Sequence, residues 1–197
     1  MERLDEQSER PKRSYDQPSK GVLWGWEVSA YIVTKAIASG AYLVAMLAMF
    51  AGLLEMTDKL WWQLVIGCIA FLGLTGLLLV KDLDRPERFL YVMLRPNWNS
   101  WLVRGAYILG AFGGVLALSG IILFFDFDRV YLEYLAVFGI PLATLTGVYT
   151  AWLFGQARGR TWSKDKLLAL KMLVEMLILG AAILILLTSS QFLILVG

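Results

Sequence analysis

Residues 60–80 and 105–125 each run for 21 residues without a charged side chain. A helix needs about 20 apolar residues to cross a bilayer core, so each run is long enough to span one. Three more segments come close to the same pattern: about Val28–Leu54, Tyr134–Phe154 and Leu167–Val196. The first holds one charge, Lys35, and the last holds Lys171 and Glu175 near its start. A soluble domain can bury one such helix. Five of them in 197 residues, only 17% of which are charged, leave too little polar surface to cover a water-soluble core. A transmembrane barrel would show short alternating segments instead. The chain therefore reads as an all-α integral membrane protein of about five transmembrane helices. Residues 22–197 form the helical domain and residues 1–21 a polar tail.

The cations sort by connection. The tail holds Arg3, Arg10, Lys12, Arg13 and Lys20; residues 81–104 hold Lys81, Arg85, Arg88, Arg95 and Arg104; residues 155–171 hold Arg158, Arg160, Lys164, Lys166 and Lys171. The connections on the other side hold only Lys59 and Arg129. Excess Lys and Arg mark the cytoplasmic side, which places the N-terminus in the cytoplasm and the C-terminus outside. The short links Glu55–Lys59 and Asp126–Glu133 look plain, so a site is expected on the charged face. The tail has no short apolar run followed by a cleavage site, so no signal peptide is expected. Topology accounts for the basic residues and leaves no support for nucleic-acid binding.

Histidine is absent and Cys68 is the only cysteine. Haem in helical bundles is usually held by histidine, and structural zinc by His and Cys. Haem, a metal in this chain and an intrachain disulfide are therefore not expected, and Cys68 reads as a small core residue. Glycines at 40 and 52 in span one, at 67, 73 and 76 in span two, and at 110, 113, 114 and 120 in span three read as close-packing surfaces. Pro141 should kink span four. The eight Trp gather near span ends, where interfacial anchoring is their default role.

An ionisable group inside a span costs about 2.5–3.5 kcal/mol on insertion scales, so it usually has a partner or a task. Glu27, Tyr31, Lys35 and Tyr42 fall on one helical stripe. Lys171 and Glu175 are spaced to pair on one face. Lys35 and Glu175 lie at similar depth from the charged face. They are expected to approach each other and form part of a polar pocket or proton route, the alternative being a structural salt bridge.

The densest charge lies between spans two and three. Asp82, Asp84, Arg85, Glu87 and Arg88 surround Pro86, and a short interfacial helix is expected over Glu87–Leu94. Arg95-Pro96-Asn97 ends it, Asn99 or Ser100 caps span three, and Arg104 sits one turn inside that span.

Here the residues resemble a known family. DLDRPERF (residues 82–89), followed by RPNWNSWLVRGAYIL (95–109), resembles the NrfD/PsrC family of polysulfide reductase-like membrane subunits. WGWEVSAYIVTKAIASGAYL (24–43) is similar to that family's first helix, and GIPLATLTGVYTAWLFGQARGRTW (139–162) to its Pro and Tyr-Thr region. The resemblance covers about residues 22–185 and implies a NrfD-like four-helix bundle with one further helix.

It also implies a haem-free membrane subunit of a respiratory oxidoreductase complex. Such a subunit binds quinone or quinol (menaquinone or ubiquinone) and exchanges electrons with a four-cluster or similar ferredoxin-like iron–sulfur subunit. That partner often serves a molybdopterin catalytic subunit, and proton transfer accompanies the chemistry in some relatives. The matching motifs put Trp26, Glu27, Tyr31, Lys35, Asp82, Arg85, Glu87, Arg104 and Tyr149 at the quinone site. Lys35 and Glu175 are the expected proton-handling pair. Family members usually have eight or more helices in two bundles; with about five, this chain is expected to be part of a longer sequence, a split or shortened form, or completed by a partner, and a proton path through a second bundle does not follow from it. Several relatives place quinone and iron–sulfur partner on the outer face, whereas the cation count here favours the inner one. A structural anchor without its own quinone site is the nearest alternative. Half of a transporter is the other, but it would need polar residues through the full bilayer depth, and spans two to four nearly lack them.

Overall fold

The computed structural model describes residues 26–82, 94–156 and 165–196. The tail at 1–21, Trp24, Trp162 and most of the helix expected over Glu87–Leu94 lie outside the described residues. Five helices follow in order: α1 Trp26–Phe50, α2 Asp58–Asp82, α3 Trp101–Phe124, α4 Val130–Gln156 and α5 Leu168–Val196. Each is long and apolar enough to cross a membrane, and the chain is a multi-pass membrane protein.

The helices stop for local reasons. α1 ends four residues short of the expected Leu54 because Gly52 takes a left-handed backbone, φ 69°. The Gly52 N–H then donates to the Met49 carbonyl at 3.0 Å and the Leu53 N–H to the Ala48 carbonyl at 2.9 Å, which satisfies two helix-end acceptors. α3 ends the same way on a non-glycine residue, Asp126, at φ 54°. Asp tolerates this region better than most residues, and here its carboxylate accepts from Arg129 at 2.9 Å. Arg129 also donates to Asp58 at 2.8 Å, so the two connections expected to be plain are tied to each other. α4 continues through Pro141.

The α1–α2, α2–α3, α3–α4 and α4–α1 contacts close a four-helix ring, and α5 packs against α1 and α4 beside it. α1 is the most enclosed helix: 61% of its spanning window is buried, against 17% for α5. Its inner faces are small (Ala36, Ala38, Ser39, Gly40, Ala41, Ala45), which lets three neighbours approach at once. The closest approach is α1 to α5. A Cβ on Gly40 would collide with the Met176 backbone, and one on Gly180 with the Gly40 backbone. Gly139 and Gly147 of α4 receive Tyr42 and Met176 in the same manner.

The glycine-rich runs of spans two and three behave differently from expectation. A Cβ at Gly67, Gly73, Gly76, Gly110 or Gly114 would meet nothing within 4 Å, and Gly113 and Gly120 would make only ordinary contacts. Of the α2 and α3 glycines only Gly105, against the Tyr149 ring, sits where a side chain would collide; the other such contacts are at Gly40, Gly139, Gly147 and Gly180. Trp61 is also not an interfacial anchor; it is buried in the main apolar cluster with Leu64, Val65 and Leu116. Trp101 and Trp152 do gather near the charged end, stacked with centroids 4.9 Å apart. Cys68 is buried, its Sγ 3.2 Å from the Ala38 carbonyl.

Span three starts without the expected side-chain cap. Ser100 occupies the N-cap position, but its hydroxyl makes no capping bond. Gln156, at the end of α4, does the work instead. Its Oε1 accepts from the Trp101 N–H at 3.0 Å and its Nε2 donates to the Asn99 carbonyl at 2.9 Å. The start of α5 is held by Asp165, whose carboxylate accepts from the Leu167 N–H at 2.9 Å and from Lys171 at 2.6 Å. Lys171 therefore pairs with Asp165, not with Glu175.

Two measurements test this account. Gly180→Val should lower the thermal unfolding temperature of the detergent-purified protein, consistent with an overpacking cost of about 1–3 kcal/mol, while Gly110→Val leaves it unchanged. Equal effects would show that the α1–α5 contact is not special. The Lys171 ammonium holds the Asp165 carboxyl below the usual carboxylate range. A depressed carboxyl stabilises above its unfolded pKa and loses that contribution as pH falls through the folded one. Asp165→Asn should therefore cost a little stability at pH 7, and the difference should vanish as the pH drops below about 3.9, the ordinary aspartate value.

Candidate functional site

The charged ends of the helices meet on one side of the bundle. At the start of α1, Glu27 lies 3.9 Å from the Lys81 ammonium near the end of α2, and Lys81 sits 4.8 Å over the Trp26 ring. At the start of α3, Arg104 donates from Nε to the Trp98 carbonyl at 2.6 Å and lies 4.8 Å over the Trp101 ring. Among the described residues no carboxylate lies within ion-pair range of Arg104.

Below this surface is a polar layer. Lys35 lies about 14 Å along α1 from Trp26, given a rise of about 1.5 Å per residue. Its side chain is fully buried. Nζ donates to the Thr150 hydroxyl of α4 and sits 4.3 Å from the centre of the Tyr149 ring. The Ser39 hydroxyl donates to the Lys35 carbonyl at 2.7 Å and lies 3.2 Å from the Met176 sulfur of α5. Thr34 and Thr75 join α1 to α2 through a hydroxyl pair at 2.8 Å, and Thr34 also reaches the Tyr31 carbonyl at 3.2 Å. Tyr149 is held from the far side by α3, where Gly105 alone leaves room for its ring. The layer separates two apolar clusters. A small one on the charged side contains Val28, Tyr31, Leu79, Phe154 and Met172; a large one fills the rest of the bundle.

The structure thus brings Tyr31, Lys35 and Tyr149 into one region of the core, with Trp26, Glu27 and Arg104 at its charged rim. It does not bring Lys35 and Glu175 together. Glu175 is exposed on α5, and among the described residues no acid comes within ion-pair range of Lys35. The reason is helical phase: Met172, Met176 and Gly180 are the buried α5 residues among those described, and Glu175 points elsewhere. Arg85, Glu87 and the side chain of Asp82 lie outside the described residues. Sequence reasoning missed Thr34, Ser39, Thr75 and Thr150. Only Thr150 carried a signal, through the Tyr-Thr pair, because a lone hydroxyl in an apolar run has no periodicity to mark it.

Among the described residues no group of three His, Cys, Asp or Glu side chains converges as a metal site. An apolar groove of about 470 Å³ between α3 and α4, lined by Phe127, Tyr131, Tyr134 and Phe138, lies at the other end of the bundle, away from the polar layer.

The profile of the polysulphide reductase NrfD family matches residues 16–192, nearly the whole chain. The chain belongs to the NrfD family. No curated protein and no solved structure matches it. The NrfD family comprises membrane subunits of polysulphide and other reductases, in agreement with the five spanning helices. In this NrfD-family chain the matched region includes every element of the polar layer: α1, α2, α4 and α5.

A buried lysine with a hydroxyl and a ring face against it and, among the described residues, no carboxylate is a poor way to hold a bundle together. Lys35→Met should leave the thermal unfolding temperature unchanged or raise it. Thr150→Val should lower it, by the about 1–3 kcal/mol that a stranded buried donor costs. The opposite ranking would make Lys35 a structural residue.

Proposed function

We propose that this chain is the quinone-reactive membrane subunit of a multisubunit respiratory oxidoreductase in the prokaryotic cytoplasmic membrane. The observation that carries the reading is Lys35: a fully buried cation-forming side chain in a layer of hydroxyls, about 14 Å below a charged surface. Lys35 and Thr150 are the kinds of N–H and O–H group that a quinone carbonyl accepts from, and the Thr146 hydroxyl, one turn from Thr150, is buried with no hydrogen-bond partner among the described residues. Tyr31 and Tyr149 supply flat apolar walls.

Bound quinone supplies a two-electron, two-proton couple. The chain's own residues orient its head and handle protons. Lys35 holds a proton at Nζ within reach of the Thr150 oxygen, and Glu27 at the rim stands between that layer and water. Electrons come from outside the chain, from an iron–sulfur subunit of the four-cluster or similar ferredoxin-like kind. The charged rim, with Glu27, Lys81, Trp98 and Arg104, is the surface offered to it, and the sequence motif adds Asp82, Arg85 and Glu87 as candidates. A molybdopterin subunit is the expected catalytic partner beyond. The Lys and Arg distribution supports a cytoplasmic side for this rim and the N-terminus. The complete burial of Lys35 favours one second reading: a structural anchor that holds the iron–sulfur subunit without touching quinone.

Purification with its partners separates the two. The expected complex contains iron and molybdenum and turns over quinol. Lys35→Met should cut quinol-linked turnover at least tenfold with the subunits still assembled. Full turnover in that variant would leave the anchor reading.

A further inference from the structure

The geometry points to the outward face of α5 as the docking surface for a transmembrane helix beyond these five, one that presents a Lys or Arg side chain at the depth of Glu175. This goes beyond the quinone reading and does not rest on it. The inner side of α5 carries Met172, Met176 and Gly180. It packs on α1 and α4, and it faces α2 across a cleft of about 270 Å³ over α1. The outer side carries Lys171, Glu175, Ile178, Ala182, Ile185 and Ser189, all exposed. Their spacings alternate, four residues and then three, along the whole series. That alternation is the seam of a left-handed helix pair, the usual packing in membrane bundles.

Glu175 decides what covers this seam. It lies about 10 Å along α5 from Leu168, the first residue of that helix. Met176 beside it meets the backbone of Gly40, near the middle of α1, so the carboxyl stands well inside the bilayer. An acid at such depth is expensive against lipid and normally has a partner. Its side chain is too short to reach the membrane surface. Among the described residues no cation lies within ion-pair range of it, and Lys171, one turn away, is bound to Asp165 at 2.6 Å. Lipid tails offer no hydrogen-bond donor. A second copy of this chain is the wrong occupant. A two-fold axis along the membrane normal would set two Glu175 carboxyls at one height across the seam, like charge against like. An ammonium or guanidinium on a facing helix satisfies the carboxylate, and Ala182, two turns further on, lets that helix come close.

The test places photoreactive benzoylphenylalanine at Ile178 in the full complex in native membranes and identifies the cross-linked peptide by mass spectrometry. The expected adduct is a transmembrane segment outside α1–α5 with Lys or Arg about midway along it. Glu175→Lys, and separately Glu175→Leu, should cut that adduct by about tenfold or more, because each strands the facing cation. Thermal unfolding checks that the variants remain folded, and Glu175→Leu, which removes a charge from a lipid-accessible position, should fold at least as well as the wild type. Changing the partner's cation to Glu should restore the adduct of Glu175→Lys. Cross-linking only to α5 of a second copy, or only to lipid, overturns the assignment. So does an adduct that both Glu175 variants leave undiminished, and so does a reversed pair that fails to restore it. None of these readouts involves quinone, so the quinone reading stands or falls separately.

Discussion

The contact between the α1 and α5 backbones at Gly40 and Gly180 is the constraint on which the interior depends. Lipid gives helices no hydrophobic reason to associate, so closeness must come from shape. Two glycines remove the side chains that would hold the helices apart, and Met176 then drops between Ser39 and Gly147. With α5 seated there, α1 is covered by α2 and α4 on its other sides as well. Lys35 is buried because its helix is surrounded. On a helix packed against a single neighbour, a lysine at this depth would snorkel to the interface.

That enclosure creates the chemistry. A polar layer of Thr34, Lys35, Ser39, Thr75, Tyr149 and Thr150 lies between two apolar clusters, so each group in it has exchanged water for a neighbour. Buried polar groups without partners are costly, and the layer pairs most of its members across helices: Lys35 to Thr150, Thr34 to Thr75. The cross-links fix α1 against both α2 and α4 at one depth. The rim above is built differently, from long-range charge and aromatic stacking at the membrane surface.

The five spans were legible because bilayer length and lack of charge are properties of a linear run. The NrfD resemblance was legible because the DLDRPERF and RPNWNSWLVRG motifs are compact. What failed depended on helical phase and on which faces meet. Glu175 has the right depth to meet Lys35 but the wrong rotation on α5. The glycines of α2 and α3 are as numerous as packing glycines would be, yet of them only Gly105 sits in a contact too close for a side chain, while Gly40, Gly139, Gly147 and Gly180 take the others. The Ser100 position was readable as a helix start, but the group that caps it, Gln156, arrives from another helix.

The sequence by itself determined that five segments are long and apolar enough to cross a membrane, that the cations gather in one set of connections, and that Lys35 lies inside a span. These follow from solvation, which acts residue by residue along the chain. Only the tertiary structure decided that Lys35 faces Thr150 and Tyr149 instead of Glu175, that Asp165 takes Lys171, and that α2 and α5 leave a cleft over α1. Those outcomes depend on how the helices rotate and approach one another, and that is set by the small-residue contacts of α1 with α4 and α5, which no single segment contains.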